Sequence, residues 1–358
     1  MYSDDDLNSA VAAGVLSPEA AANFRAHMSA MRALPHASEE DFRLLNSFND
    51  IFVSIGIVIL MVALGAIGAA FTNAPGLGGA LVALAAWPLA EFFTRKRRMA
   101  LPSILLLLAF VGGVFATFAL ITAHMADGTD EVAMVLGIAA SALAAAGAAW
   151  LHWRRFMVPI TVAAGTAAVA ATALALIVAA VGPKNLDQNI IMALVLAAGL
   201  AVFAFAMRWD MSDLARTTRR SDVAFWLHLT AAPMIAHPVF ALLGVTDGEA
   251  PGMGAAVGVL AVYVGFGLVA LTIDRRALLV SALAYVLFAL TFLFREFGAV
   301  QLNFALTALV IGSALLSLSA FWQTIRRGVV TLLPQGLQAV LPATEEPAYM
   351  PPTGASPA

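Results

Sequence analysis

The sequence predicts an all-α protein, a polytopic membrane helix bundle of about ten transmembrane helices with a small N-terminal cytosolic helical region. Three observations carry this. The 358 residues are 61% hydrophobic and only 11% charged, against about 25% charged in a soluble domain. Ten mostly apolar stretches succeed one another from Ile51 to Trp322, each close to the about 20 residues that a helix needs to cross a hydrocarbon core of about 30 Å. Seventeen of the 19 basic residues fall on one side if every stretch crosses the bilayer.

Residues 1–47 read as the soluble part. Asp4, Asp5 and Asp6 stand where an export signal needs basic residues. A short helix over Leu7 to Ala13 ends at Gly14, and Ser17, Pro18 and Glu19 supply an N-cap, a first-turn proline and an acid for the next helix, which runs to about Ala33. Pro35 stops it. Ser38 with Asp41 offers a capping-box-like start for a third helix that continues through Phe48 into the bilayer.

The spans are expected at 51–71, 77–93, 100–123, 132–151, 156–181, 189–207, 222–244, 254–273, 277–294 and 301–322, within a transmembrane domain of 48–322. The turns with Arg95, Lys96, Arg97 and Arg98, with Arg154 and Arg155, with Arg208, Arg216, Arg219 and Arg220, and with Arg275 and Arg276 share a side with Arg326 and Arg327. The opposite turns hold Lys184, Arg295 and a majority of acids, including Asp127, Asp130, Asp187 and Asp247. Under the positive-inside rule both termini are cytoplasmic. Residues 323–341 follow as an amphipathic segment at the inner headgroup level, and proline-rich 342–358 as a disordered tail.

Tryptophans 87, 150, 153, 209, 226 and 322 lie near span ends, where interfacial anchoring accounts for them. Arg97-Arg98-Met99-Ala100-Leu101-Pro102, Arg154-Arg155-Phe156-Met157-Val158-Pro159 and Arg275-Arg276-Ala277-Leu278-Leu279-Val280 form a weak repeat. Duplicated hairpins would produce it, and so would topology alone, since inward turns want arginine and helix starts tolerate proline.

Candidate functional residues cluster around the seventh span. Its preceding turn interleaves Asp210, Asp213 and Asp222 with Arg216, Arg219 and Arg220. Orientation needs no acids, so these six make either an ordered, salt-bridged turn or an anion or partner contact. The span itself carries His228, Pro233, His237 and Pro238. Nine residues at about 100° each put the histidines on opposite faces, which argues against a shared metal. An ionisable side chain inside a span is a ligand or ion-pathway candidate, with a hydrogen-bonded structural histidine as the alternative. Glu91, one turn before Arg95 and near Pro88, joins the candidates, the plainer reading being an ion pair.

No helix pairs a nucleophile with a base or two carboxylates, and no cofactor loop or metal-ligand cluster is present in the sequence, so neither an enzyme nor a cofactor is expected. The absence of cysteine excludes thiolate chemistry. A formal charge of −3 gives no reason to expect nucleic acid. The expected partners are the bilayer and a second membrane protein or copy of the chain. A small-solute transporter or channel is favoured over a non-transporting scaffold, sensor or accessory subunit.

The run Ala10-Val11-Ala12-Ala13-Gly14-Val15-Leu16-Ser17-Pro18-Glu19-Ala20-Ala21, Phe48-Asn49-Asp50-Ile51-Phe52 before the first span, and Arg219-Arg220-Ser221-Asp222-Val223-Ala224-Phe225-Trp226-Leu227-His228 together resemble a group of uncharacterised bacterial inner-membrane proteins classed under domain of unknown function 2157. The resemblance implies a bacterial cytoplasmic membrane. It implies no activity and no functional residues.

Overall fold

A computed structural model describes residues 4–33, 48–71, 73–126, 130–216, 218–244, 252–297 and 302–344. The capping signals at Ser38 and Asp41 and most of the 342–358 tail lie outside these residues.

The first two helices, α1 (Asp4–Ala12) and α2 (Pro18–Ala33), form a hairpin. Gly14 turns the chain with a φ of 70°, the Ser17 hydroxyl accepts from the Ala20 N–H at 3.0 Å, and Leu7 and Ala21 are buried. Arg25 ties the pair by donating to Asn8 at 2.8 Å.

Ten helices long and apolar enough to cross a membrane follow among the described residues: α3 (Phe48–Ala69), α4 (Leu77–Ala90), α5 (Ala100–Met125), α6 (Glu131–Phe156), α7 (Ile160–Val181), α8 (Gln188–Met211), α9 (Arg219–Leu242), α10 (Met253–Ile273), α11 (Ala277–Glu296) and α12 (Asn303–Ala320). The chain is therefore an integral membrane protein. Consecutive helices form antiparallel pairs, with α8 on α9, α6 on α7 and α4 on α5 packed most extensively. Short turns put all the arginine turns at one end of the bundle, here the arginine end, and the acidic turns at the other.

Helix ends and span ends differ. Hydrophobicity marks where the hydrocarbon stops, whereas capping decides where the helix stops. Helix α6 runs on to Phe156 and so takes in His152, Arg154 and Arg155. Helix α9 starts at Arg219 because the Thr218 hydroxyl caps it, accepting from the Arg220 N–H at 3.2 Å, and Asp222 sits in its first turn. Beyond α4 the chain widens into a π-helical turn over Glu91–Lys96, three residues past Pro88, whose missing N–H already breaks the α ladder.

Four turns at the arginine end each reverse through one non-glycine residue in the left-handed region: Arg98, Met157, Arg216 and Asp274, with φ of 53°, 53°, 52° and 58°. In the repeated arginine motif that residue is the second arginine of one copy, lies two places after the pair in the next and immediately precedes the pair in the third. The motif therefore marks no common turn geometry, and topology alone suffices to explain it.

Small residues set the closest helix contacts. A side-chain carbon on Gly199 of α8 would stand 2.8 Å from the Met234 carbonyl oxygen of α9. That carbonyl has no intrahelical donor, because the residue four places on is Pro238. After α12 the chain breaks at Phe321 and continues as α13 (Trp322–Thr331) and α14 (Gln335–Gln338). Trp322 is not an interfacial anchor. It is buried and its indole N–H donates to Asp274 at 2.6 Å.

Candidate functional site

Helix α9 is the hub of the bundle: 56% of its apolar window is buried, the largest share among the ten spans. Val223, Leu227, Ala231 and Ala232 pack with Val202 and Ala206 of α8, while Ala236 and Phe240 pack against α10 and α11.

The charged turn before α9 folds inward on itself. Asp210, at the end of α8, is buried. It accepts from Arg275 at 2.6 Å and 3.3 Å and shares a 2.8 Å hydrogen bond with His228 Nε2. Arg275 also reaches the Ser221 carbonyl and hydroxyl at 3.2 and 3.3 Å. One carboxylate thus joins α8, α9 and the α10–α11 turn. Asp213 accepts from the Thr218 N–H and hydroxyl at 2.9 and 2.7 Å, fixing the start of α9. Arg216 crosses to Asp274, donating to its carboxylate at 2.9 Å and to the carbonyls of Ile273 and Asp274. Three of the six turn candidates, Asp210, Asp213 and Arg216, are thereby engaged inside the protein.

Asp274 gathers a second set. Besides Arg216 and Trp322 it faces Arg326 of α13 at 3.7 Å. Arg326 is fully buried and donates to the carbonyls of Pro342 and Ala343 at 2.6 and 2.9 Å. Burial lowers the pKa of this guanidinium, and the Asp274 carboxylate opposes that shift. The amphipathic segment after the last span thus turns Trp322, Arg326 and Val330 into the bundle.

The two histidines of α9 separate as their spacing requires. His228 is buried against Asp210, with Phe203 edge-on at 5.2 Å. His237 is exposed and pairs through Nδ1 with the Tyr285 hydroxyl at 2.6 Å, while Tyr285 stacks on Phe240 at 4.3 Å. His228 lies nine residues from the start of the helix at Arg219, and His237 five from its end at Leu242. Neither takes part in a metal-ligand group, and among the described residues no three His, Asp or Glu side chains form one.

Glu91 is an ion-pair residue. Arg155 grips it with two bonds, Nε to Oε1 at 2.5 Å and Nη2 to Oε2 at 3.0 Å, and Arg95 reaches it at 3.3 Å. The three residues join the end of α4 to the end of α6.

Beside this group lies a cavity of about 560 Å³, open at the arginine end. Arg95, Arg98, Arg155 and Arg219 line it together with a single carboxylate, Asp222, and with apolar side chains that include Ile104, Phe156, Ile160 and Trp226. The first turns of α5, α7 and α9 all contribute, through Ala100 and Ser103, Ile160, and Arg219 and Asp222. Three helix N-termini therefore add their positive dipole ends to four guanidiniums. Leu107, Ala145 and Ala149 pack as buried core with the lining residues Ile160, Ile104 and Trp226. Arg220 and His237 are not in the lining. Sequence reasoning singled out Arg219, Asp222 and Glu91 but not Arg98, Arg155 or Asp274. An acid in an inward turn was the signal for Asp210, and the same signal applies to Asp274.

In comparisons with known proteins, no family profile, curated protein or solved structure matches the chain. Fold and site together define a polytopic α-helical membrane protein with a basic vestibule at one end.

Proposed function

We propose that the chain is a carrier or channel for a small anionic solute, with the vestibule opening to the cytoplasm of a bacterial cell and both termini on that side. The observation that carries this reading is the cavity at the arginine end, lined by four guanidiniums and one carboxylate, with Glu91 pairing two of the four, Arg95 and Arg155, from outside the lining. The distribution of arginine between alternate turns supports the cytoplasmic side, and the resemblance to uncharacterised inner-membrane proteins supports the bacterial membrane. Helix α9 is the natural moving part. It supplies Arg219, Asp222 and Trp226 to the cavity, and Pro233 and Pro238 deprive its outer half of two backbone hydrogen bonds, giving it a place to flex.

The packed core of Leu107, Ala145 and Ala149 against the cavity lining favours a second reading, in which the protein binds an anion at the membrane without passing it and serves as a sensor or scaffold. Uptake of labelled phosphate, phenyl phosphate and benzoate into proteoliposomes separates the two. The carrier reading expects uptake that falls at least tenfold in the Arg98→Gln, Arg219→Gln double variant. Binding of these anions with uptake no faster than in protein-free liposomes would establish the sensor instead.

A further inference from the structure

We infer that the vestibule is built for a phosphate monoester attached to an apolar body, an inference that deepens the anion-carrier reading and rests on it. The four arginines come from three separate places, the turn after α4, the end of α6 and the start of α9, and so approach a ligand from several directions. A planar carboxylate is satisfied by one guanidinium fork. A tetrahedral oxyanion has three peripheral oxygens and can engage several forks at once, which is the demand this lining meets. Arg155 is held in place by the bidentate grip of Glu91 through Nε and Nη2, a positioning contact that does not use Nη1. Helix N-termini favour the same group, because their dipoles act on a compact concentration of negative charge.

Asp222 narrows the choice further. Asp222 stands among Arg275, Arg219 and Asp213; in its ionised form it only accepts hydrogen bonds, and so favours, among anions, one that carries a proton to donate. A phosphate monoester does so in its monoanionic form, with a second pKa of about 6. A sulfate ester and a phosphodiester carry no such proton and would meet Asp222 as a bare like charge. The apolar lining residues Ile104, Phe156, Ile160 and Trp226 have no use for inorganic phosphate and suit an aromatic or aliphatic ester group. Two sources supply this chemistry, a soluble organic phosphomonoester and a lipid whose headgroup is a bare phosphate.

The test uses the full chain in phosphatidylcholine nanodiscs at pH 6, titrated with phenyl phosphate, phenyl sulfate and benzoate. Phenyl phosphate should bind at least tenfold tighter than either of the others. Arg98→Gln and Arg219→Gln should each weaken it at least fivefold, and Arg208→Gln, at the same end but outside the lining, should not. Asp222→Asn should bring phenyl sulfate to within about twofold of phenyl phosphate. Should that variant fail to fold, raising the pH from 6 to 8 in the native protein gives the same information, because the ligand proton is then lost and the preference over sulfate should shrink. The lipid arm adds phosphatidic acid or phosphatidylglycerol to the nanodiscs. Retention of phosphatidic acid alone, dependent on Arg219, supports the phosphomonoester with a lipid as its source. Equal binding of phenyl sulfate or benzoate to the native protein overturns the phosphomonoester assignment and leaves the anion carrier standing. If no anion binds and neither lipid is retained, both readings fall.

Discussion

Arg275 and Asp210 meet at 2.6 Å, 65 residues apart in sequence and both buried. The arginine leaves the α10–α11 turn, passes beneath the start of α9 and holds the last turn of α8, with His228 on the other carboxylate oxygen. The bond fastens three consecutive helices at the arginine end, directly beside the helix that lines the vestibule.

Removing one partner strands a buried charge, so Asp210→Ala and Arg275→Ala should each lower stability by about 3–5 kcal/mol. The double variant should cost clearly less than the two single losses together, because it strands no buried charge, leaving only the neutral loss at His228 Nε2. Thermal unfolding of the four proteins in one detergent reads the coupling. Strict additivity would mean that the pair contributes nothing beyond its separate residues.

This relationship shows where sequence reasoning stops. The ten spans were legible because each must by itself hide its backbone from lipid, so the signal for each lies within about 20 consecutive residues. The inward folding of the turn was half legible, since Asp210 and Asp213 had no role in orientation. Their partners were not, because Arg275 and Asp274 are separated from Asp210 and Arg216 by two whole helices. The vestibule was hidden for another reason. Arg98, Arg155 and Arg219 stand on three different turns, and the positive-inside bias already gives each a sufficient reason to be there. Trp322 misled for the same reason, since a tryptophan near a span end fits an interfacial anchor whether or not its N–H finds a buried carboxylate.

The contact of α8 with α9 depends on Gly199. A methyl group there would sit 2.8 Å from the Met234 carbonyl, so Gly199→Ala should destabilise by about 1–3 kcal/mol, and Gly199→Val by more, through forced separation of tightly packed backbones. Gly112, where an added carbon meets nothing within 4 Å, is the control. Equal melting temperatures for Gly199→Val and Gly112→Val would show that the two helices are not in fact this close.

Orientation can be read by labelling, since the chain has no cysteine of its own. Single cysteines at Gly128 and Gly248, in the acidic turns, should react in intact cells with a membrane-impermeant thiol reagent. A cysteine at Ser212, exposed at the arginine end, should react only after lysis. The reverse pattern would turn the vestibule outward and remove the cytoplasmic solute from the proposed function.

His237 tests whether α9 serves at both of its ends. It sits toward the acidic end, away from the vestibule, with Tyr285 of α11 at 2.6 Å, just past Pro233 and beside Pro238. If α9 flexes at its prolines as solute passes, this bond is one that must break and re-form, and His237→Ala and Tyr285→Phe should both slow uptake several-fold. Neither should change equilibrium binding of phenyl phosphate at the vestibule, which lies at the opposite end of the helix. A net hydrogen bond contributes about 0.5–1.5 kcal/mol to stability, so a purely structural pair would show a small drop in melting temperature. Uptake would then stay at the native rate. That outcome in both variants would assign His237 to packing alone and confine the functional part of α9 to Arg219, Asp222 and Trp226.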